Sequence, residues 1–324
     1  MKKWLALLFK KLNMIQYIEN KNINKTKWDQ CISNSVNGII YAYSWYLDIV
    51  CKNNWDAIVE NDYERVFPLP FRKKLGVYYL YPPFFIQQLG IFSKTILTDS
   101  ITYNLLKEIP AKFKFIEINL NTLNKIDNGH FQIKTNLNHE LDLISPYESL
   151  IKNYSENALR NLKKANKLNL QIKNNIEAEI IITLFRDNRG LLVKNLKDNE
   201  YEILRSVIKI CTHKNMATTK AVYNENGEIC AGAVFIQSNG KVIFLFSGSN
   251  SEAKTNNAMT FLIDNFIKEN AQRNLILDFE GSNDENLARF YKSFGSKECV
   301  YLQINKNNLN WFYKTALKVR KYIK

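Results

Sequence analysis

Glycine and proline are scarce, at 11 and 6 of 324 residues. No stretch reads as a flexible linker, so the parts of the chain are expected to pack closely. The three histidines, His130, His139 and His213, have no metal-ligand spacing to one another or to the cysteines, and no metal is expected. Neither G-x-S-x-G nor a Walker P-loop is present. No apolar run approaches the roughly 18 residues of a membrane span. The five cysteines are odd in number, scattered and without a CxxC pair, the pattern of reduced thiols in a cytoplasm.

What is present is an ordinary globular balance, 46% hydrophobic and 23% charged, in a chain longer than one hydrophobic core usually serves. Two domains are expected, residues 14–145 and 146–324, behind a basic extension over 1–13. That extension, MKKWLALLFKKLN, has an apolar block too short for a secretory signal. Either Met14 is the start, or residues 1–13 form a short amphipathic anchor. The formal charge of +14 suits a nucleic acid or an anionic membrane as partner. An AT-rich coding sequence, which favours Lys, Asn and Ile, accounts for the same charge without any partner.

Between 15 and 145 the pattern alternates short elements: helices over 27–34, 43–51 and 99–109, and strands over 55–60, 65–71, 77–81, 113–119 and 131–143. The double proline at 82–83 interrupts a strand that is expected to resume at Phe84. Gln87 and Gln88 then form a polar pair in an apolar stretch, either lining an interdomain cleft or closing a strand. The second half opens with a helix over 154–168. It carries Leu159, Leu162, Ala165 and Leu168 on one side and Arg160, Lys163, Lys164 and Lys167 on the other. Helices over 177–193 and 200–214 precede strands over 217–223, 229–237 and 241–248. The turns NENG and SNG join these strands as antiparallel hairpins. A helix over 256–270 follows, and a last strand over 298–304 precedes a basic end with Lys314, Lys318, Arg320, Lys321 and Lys324 beside Trp311, Phe312 and Tyr313.

The most informative segment is 275–296, LILDFEGSNDENLARFYKSFGS. An apolar strand ends at Glu280, where open α/β sheets place their ligand crevices. Asn283 or Asp284 can cap the next helix, Phe290, Tyr291 and Phe294 give it a bulky face, and Gly295 suits the left-handed residue that closes it. Glu280 and Tyr291 are the candidate catalytic pair. Alternatively, Glu280 caps the turn and Tyr291 packs against the sheet.

This order of hairpin, helix, strand, helix and strand resembles the core of the GNAT acyltransferase superfamily. Ala288, Tyr291 and Gly295 fall on its A-x-x-Y-x-x-x-G-F pattern, with Ser296 in place of Phe. SENALRNLKKANKLNLQI, WYLDIV and YPPFFIQQLG extend the similarity to the Fem-type (FemAB-like) tandem-GNAT transferases, in a branch found in Bacteroidetes. The resemblance implies an α/β fold of two tandem GNAT-like domains and transfer of an acyl or aminoacyl group onto an amine acceptor. Glu280 would then accept the amine proton, Tyr291 would donate a proton or bind the acyl carbonyl, and N–H groups of Phe246, Ser247 and Gly248 would hold the oxyanion. No covalently bound cofactor is implied.

CoA-binding members cradle a pyrophosphate in a Gly-rich turn, R/Q-x-x-G-x-G/A. Here SGSNSEAKTNNAMTF offers Lys254, Thr255, Asn256 and Asn257, and its only glycine, Gly248, comes too early. The departure favours aminoacyl-tRNA over acyl-CoA as donor, with Arg160, Lys163, Lys164, Lys167 and Arg289 as contacts. The coiled-coil arm common in Fem-type enzymes is not visible. Two competing readings are a CoA-dependent N-acetyltransferase and a non-catalytic module that binds RNA or an anionic surface.

Overall fold

The computed structural model describes residues 14–126, 131–193, 196–281, 283–309 and 311. The expected extension at 1–13, His130 and the basic cluster beyond Trp311 lie outside the described residues. The chain divides into two compact units, one of residues 1–135 with 301–324, the other Asn136–Val300. This differs from the expected boundary at 145/146 at both ends. The second half of the last strand pairs with a strand of the first unit, Gln303 to Asn307 against Asn119 to Phe115.

In the first unit, β1 (Ile15–Ile18), β2 (Trp55–Glu60), β3 (Arg65–Lys74) and β4 (Val77–Leu80) form a meander, with the two-residue β5 (Phe92–Ser93) on β3 and β6 (Phe113–Asn119) parallel to β4. Pro68 and Pro70 fall where β3 has β2 on one edge and, among the described residues, no strand on the other. Their missing N–H groups therefore leave no sheet donor unmade. Helices α1 (Lys25–Asn34) and α3 (Asp99–Lys107) begin at side-chain caps, Asn24 and Thr98, while α2 (Ser44–Cys51) ends on left-handed Lys52. The strand expected to resume at Phe84 does not form. Phe85 is left-handed at φ 61°, and Asn121 and Asn124 bind the backbone of Leu89 and Ile91 through their side chains, satisfying the loop without a ladder.

The second unit is one mixed sheet in the order β7 (Gln132–Asp142), β12 (Ile276–Asp278), β11 (Lys241–Ser249), β10 (Ile229–Ser238), β9 (Ala217–Tyr223), β8 (Gln171–Asn174), β7 entering from residue 136. The hairpin turns are as the sequence predicts, with Gly227 at φ 78° and Asn239–Gly240 at 49° and 70°. Helices α4 (Glu156–Ala165), α7 (Ala258–Asn270) and α8 (Glu285–Lys292) share a core with one sheet face, where Phe235 stacks on Phe266 at 3.8 Å. Burial of each such ring stabilises by about 1.5–3 kcal/mol. Helix α5 (Ala178–Arg186) packs on β10 and β11, and α6 (Asp198–His213) packs on α5. In α4 the buried residues are Ala158, Leu162 and Ala165. Leu159 and Leu168, expected inside, are exposed, because the helix ends at Ala165 and its inward stripe passes through Ala158. The strand β13 (Lys297–Asn307) carries the chain back to the first unit.

Candidate active site

The parallel strands β11 and β12 pair over three residues only, Lys241 to Ile243 against Ile276 to Asp278. Beyond this β11 continues to Ser249 with β10 alone, and the register shifts so that Leu245 bulges between Phe244 and Phe246. The two strands thus part at their carboxyl ends, leaving one edge of β11 without a strand partner among the described residues.

The opening exists because β12 stops abruptly. Glu280 takes φ 54° and Gly281 φ 31°, left-handed conformations that end extended backbone. A Cβ on Gly281 would lie 2.1 Å from the Leu137 carbonyl oxygen on β7, so only glycine lets the turn seat there. Asp278, 1% exposed, accepts the Glu280 N–H at 2.8 Å and the Asn138 side-chain amide at 3.0 Å. Its other oxygen accepts from Lys241 Nζ at 3.1 Å, and Lys241 also donates to Glu140 at 2.5 Å. The turn is therefore capped by Asp278 and not by Glu280. The Glu280 carboxylate makes no hydrogen bond or ion pair among the described residues, and burial pushes its pKa up to about 8.

Asp284 starts α8 by accepting from the N–H groups of Asn286 and Leu287 at 2.9 and 3.1 Å. Asn283, the other candidate cap, instead bridges to β7 through Leu137 N and Asn136 Oδ1. Tyr291 is 6% exposed, stacked on Phe279 at 4.8 Å and edge-on to Phe244 at 6.3 Å. Burial, with the negative charge of Glu280 as the smaller cause, raises its phenol pKa, so the phenol keeps its proton. Its hydroxyl has no hydrogen-bond partner among the described residues. The phenol thus feels the charge of the half-buried acid, and both hold unspent hydrogen-bonding capacity at the mouth of a strand opening.

Solved structures share this architecture over nearly the whole chain. FemX matches with a TM-score of 0.65 at 14% identity, over 89% of this chain and 96% of its own. A conserved protein of unknown function from Bacteroides thetaiotaomicron VPI-5482 gives 0.52 at 12%, over 90% and 100%. A tandem GNAT protein from the clavulanic acid biosynthesis pathway gives 0.50 at 9%, over 90% and 98%. The fold is Fem-like tandem GNAT. No protein-family profile and no curated protein matches the sequence.

Within this Fem-like GNAT fold the remaining predicted residues separate. Phe246 packs on Phe185 at 4.8 Å, and a Cβ on Gly248 would meet the backbone of Ile181 and Phe185 at 2.7 Å. Gly248 thus serves the close approach of α5, and Ser247 between them is half-buried. Asn256 is buried and structural, its amide bonding Ala258 N at 3.0 Å, Cys230 Sγ at 3.2 Å and Glu252 at 3.2 Å. Thr255 donates to the Glu252 carbonyl, Asn257 is left-handed at φ 59°, and Lys254 is exposed. The Glu252 carboxylate lies within this turn, and no glycine opens it. These residues do not fit the pyrophosphate of CoA.

Of the predicted RNA contacts, Arg160 is held by Asn157 at 2.6 Å, whereas Lys163, Lys164, Lys167 and Arg289 are exposed without ion pairs among the described residues. Gln88 is 2% exposed and bonded to Thr122 N and to Gln87, a structural role in the first unit. Among the described residues no cluster of three His, Cys, Asp or Glu can hold a metal, and no helix is long and apolar enough to cross a membrane. Sequence reasoning missed Asp278, Lys241, Glu140 and Asn138. The available signal was the aspartate inside the otherwise apolar LILDF. It also missed His139, fully buried beside Tyr291 at 6.2 Å between ring centres, with neither ring nitrogen bonded.

Proposed function

We propose that the chain transfers an acyl or aminoacyl group from an ester donor, an aminoacyl-tRNA, onto an amine. One arrangement carries this reading: a half-buried carboxylate without a partner among the described residues, fixed by left-handed backbone at a strand end, lies near enough for its charge to act on a buried protonated phenol. Glu280 accepts the proton of the attacking amine as nitrogen bonds to the acyl carbon. Tyr291 gives its proton to the departing ribose oxygen as the C–O bond breaks. The unpartnered edge of β11 beyond Leu245 offers backbone N–H groups to the oxyanion. A raised pKa suits this base, since it keeps proton affinity near working pH.

The Fem-like fold and the unfit pyrophosphate turn support an RNA-borne donor over CoA. Thermal-shift measurements with CoA, charged tRNA and uncharged tRNA identify the donor. The proposal expects stabilisation by charged tRNA, followed by transfer of its labelled aminoacyl group to an amine acceptor. Stabilisation by CoA alone, or transfer that persists in Glu280→Gln, overturns it.

A further inference from the structure

His139 lies against Tyr291 as a polar side chain with nothing to bond. By strand alternation it shares a face of β7 with Leu141, which belongs to the core beneath the helices. The residue is 0% exposed, and neither ring nitrogen makes a hydrogen bond among the described residues. A neutral imidazole carries one N–H donor and one acceptor nitrogen. Leaving such a group unpaired costs about 1–3 kcal/mol, which a leucine or phenylalanine at this position would avoid.

The sheet fixes its place. The His139 carbonyl accepts the Phe279 N–H at 3.0 Å, tying β7 to the strand end that delivers Glu280. Among the described residues four rings surround Tyr291: Phe279 at 4.8 Å, Phe290 at 6.0 Å, His139 at 6.2 Å and Phe244 at 6.3 Å between ring centres. Of the four, only the imidazole has an N–H to donate. Lys292 of α8 and Glu298 of β13 also act on the imidazole, yet they are spent on each other at 2.6 Å.

The proposed transfer creates the need for such a donor. When Tyr291 gives its proton to the departing ribose oxygen, a phenolate is left among phenylalanine rings, where an unpaired charge is costly. We infer that His139 is a positioning residue for this phenolate, turning its ring N–H onto the Tyr291 oxygen as the proton passes to the leaving group. The imidazole keeps its own proton throughout. The proton that Glu280 took from the amine then returns to the phenolate oxygen, which restores both acid and base.

The inference deepens the transferase reading and rests on it for the step in which the phenol loses its proton. The donor itself is tested without turnover. Tyr291 in the full chain is replaced by a difluorinated tyrosine, whose more acidic phenol is titrated by fluorine NMR. In His139→Phe, which keeps a ring and removes the N–H, the phenol midpoint should rise by about one to two pH units. His139→Gln restores an N–H and should recover part of that shift. With Tyr291 itself in place, His139→Phe should lower kcat for aminoacyl transfer at least tenfold and leave KM unchanged. An unchanged phenol midpoint in His139→Phe, or a shift that His139→Gln does not reduce, overturns the inference. Absence of transfer in every variant would count against the transferase reading, while the phenol titration would still decide whether His139 is the donor.

Discussion

Asp278 accepts the backbone N–H of Glu280 at 2.8 Å, so the deeper of two acids at the end of β12 orients the shallower one. Their environments differ. Asp278 is compensated by Lys241 and Asn138, whereas Glu280 is half-buried and desolvated with no compensation among the described residues. Asp278 is tied into the architecture of the strand end, which leaves Glu280 with the free carboxylate that the proposed base requires.

The first prediction concerns stability against pH. The Glu280 pKa is about 8 in the fold and near 4.3 unfolded, so between these values the folded chain binds more protons. Stability should therefore fall as pH rises from about 5 to 8, and Glu280→Gln should remove that loss. Urea unfolding at pH 5 and pH 9 for both proteins checks this.

Asp278→Asn should behave differently. It leaves Lys241 and Glu140 without their third charge and weakens the hold on the Glu280 turn. Breaking a buried ion pair costs about 3–5 kcal/mol. The urea midpoint should drop strongly at neutral pH, with Lys241→Met falling in the same range.

Gly281→Ala adds a Cβ that would meet the Leu137 carbonyl oxygen at 2.1 Å and the Asn138 Cα at 2.4 Å. Both contacts are backbone, so neither can swing aside. A loss above about 3 kcal/mol is expected, read by denaturant unfolding, together with loss of any donor binding at the strand opening.

His139 supplies an acid-side prediction. Burial and then Lys292 lower its pKa, while Glu298 opposes them, and Tyr291 packs against its ring. A lowered histidine pKa means the unfolded chain binds the proton more readily, so stability is lost as pH falls below about 6.5. His139→Leu should flatten that limb between about pH 6.5 and 5 in thermal melts.

Local chemistry made much of this site legible in the sequence. The carboxylate at a strand end, the cap, the aromatic helix and the closing glycine all lie within 275–296, and Gly295 does take φ 77°. The glycines of NENG and SNG likewise announce their hairpins. The rest depends on pairing across distance. Lys241 reaches Asp278 over 37 positions and Asn138 reaches it over 140, and no local pattern encodes such partners. The close approach of α5 to Gly248 is likewise set across distance and has no local pattern. The loop after Pro83 reads as a strand because its residues are apolar, yet remote asparagine side chains satisfy its backbone.

The central claim is that Glu280 is a half-buried acid, uncompensated among the described residues, able to serve as a base. Carboxyl-¹³C NMR titration of the full chain, with Glu280 assigned by loss of its signal in Glu280→Gln, tests it most directly. The account predicts a midpoint near 8. A midpoint near the ordinary glutamate value of about 4.3 would contradict it.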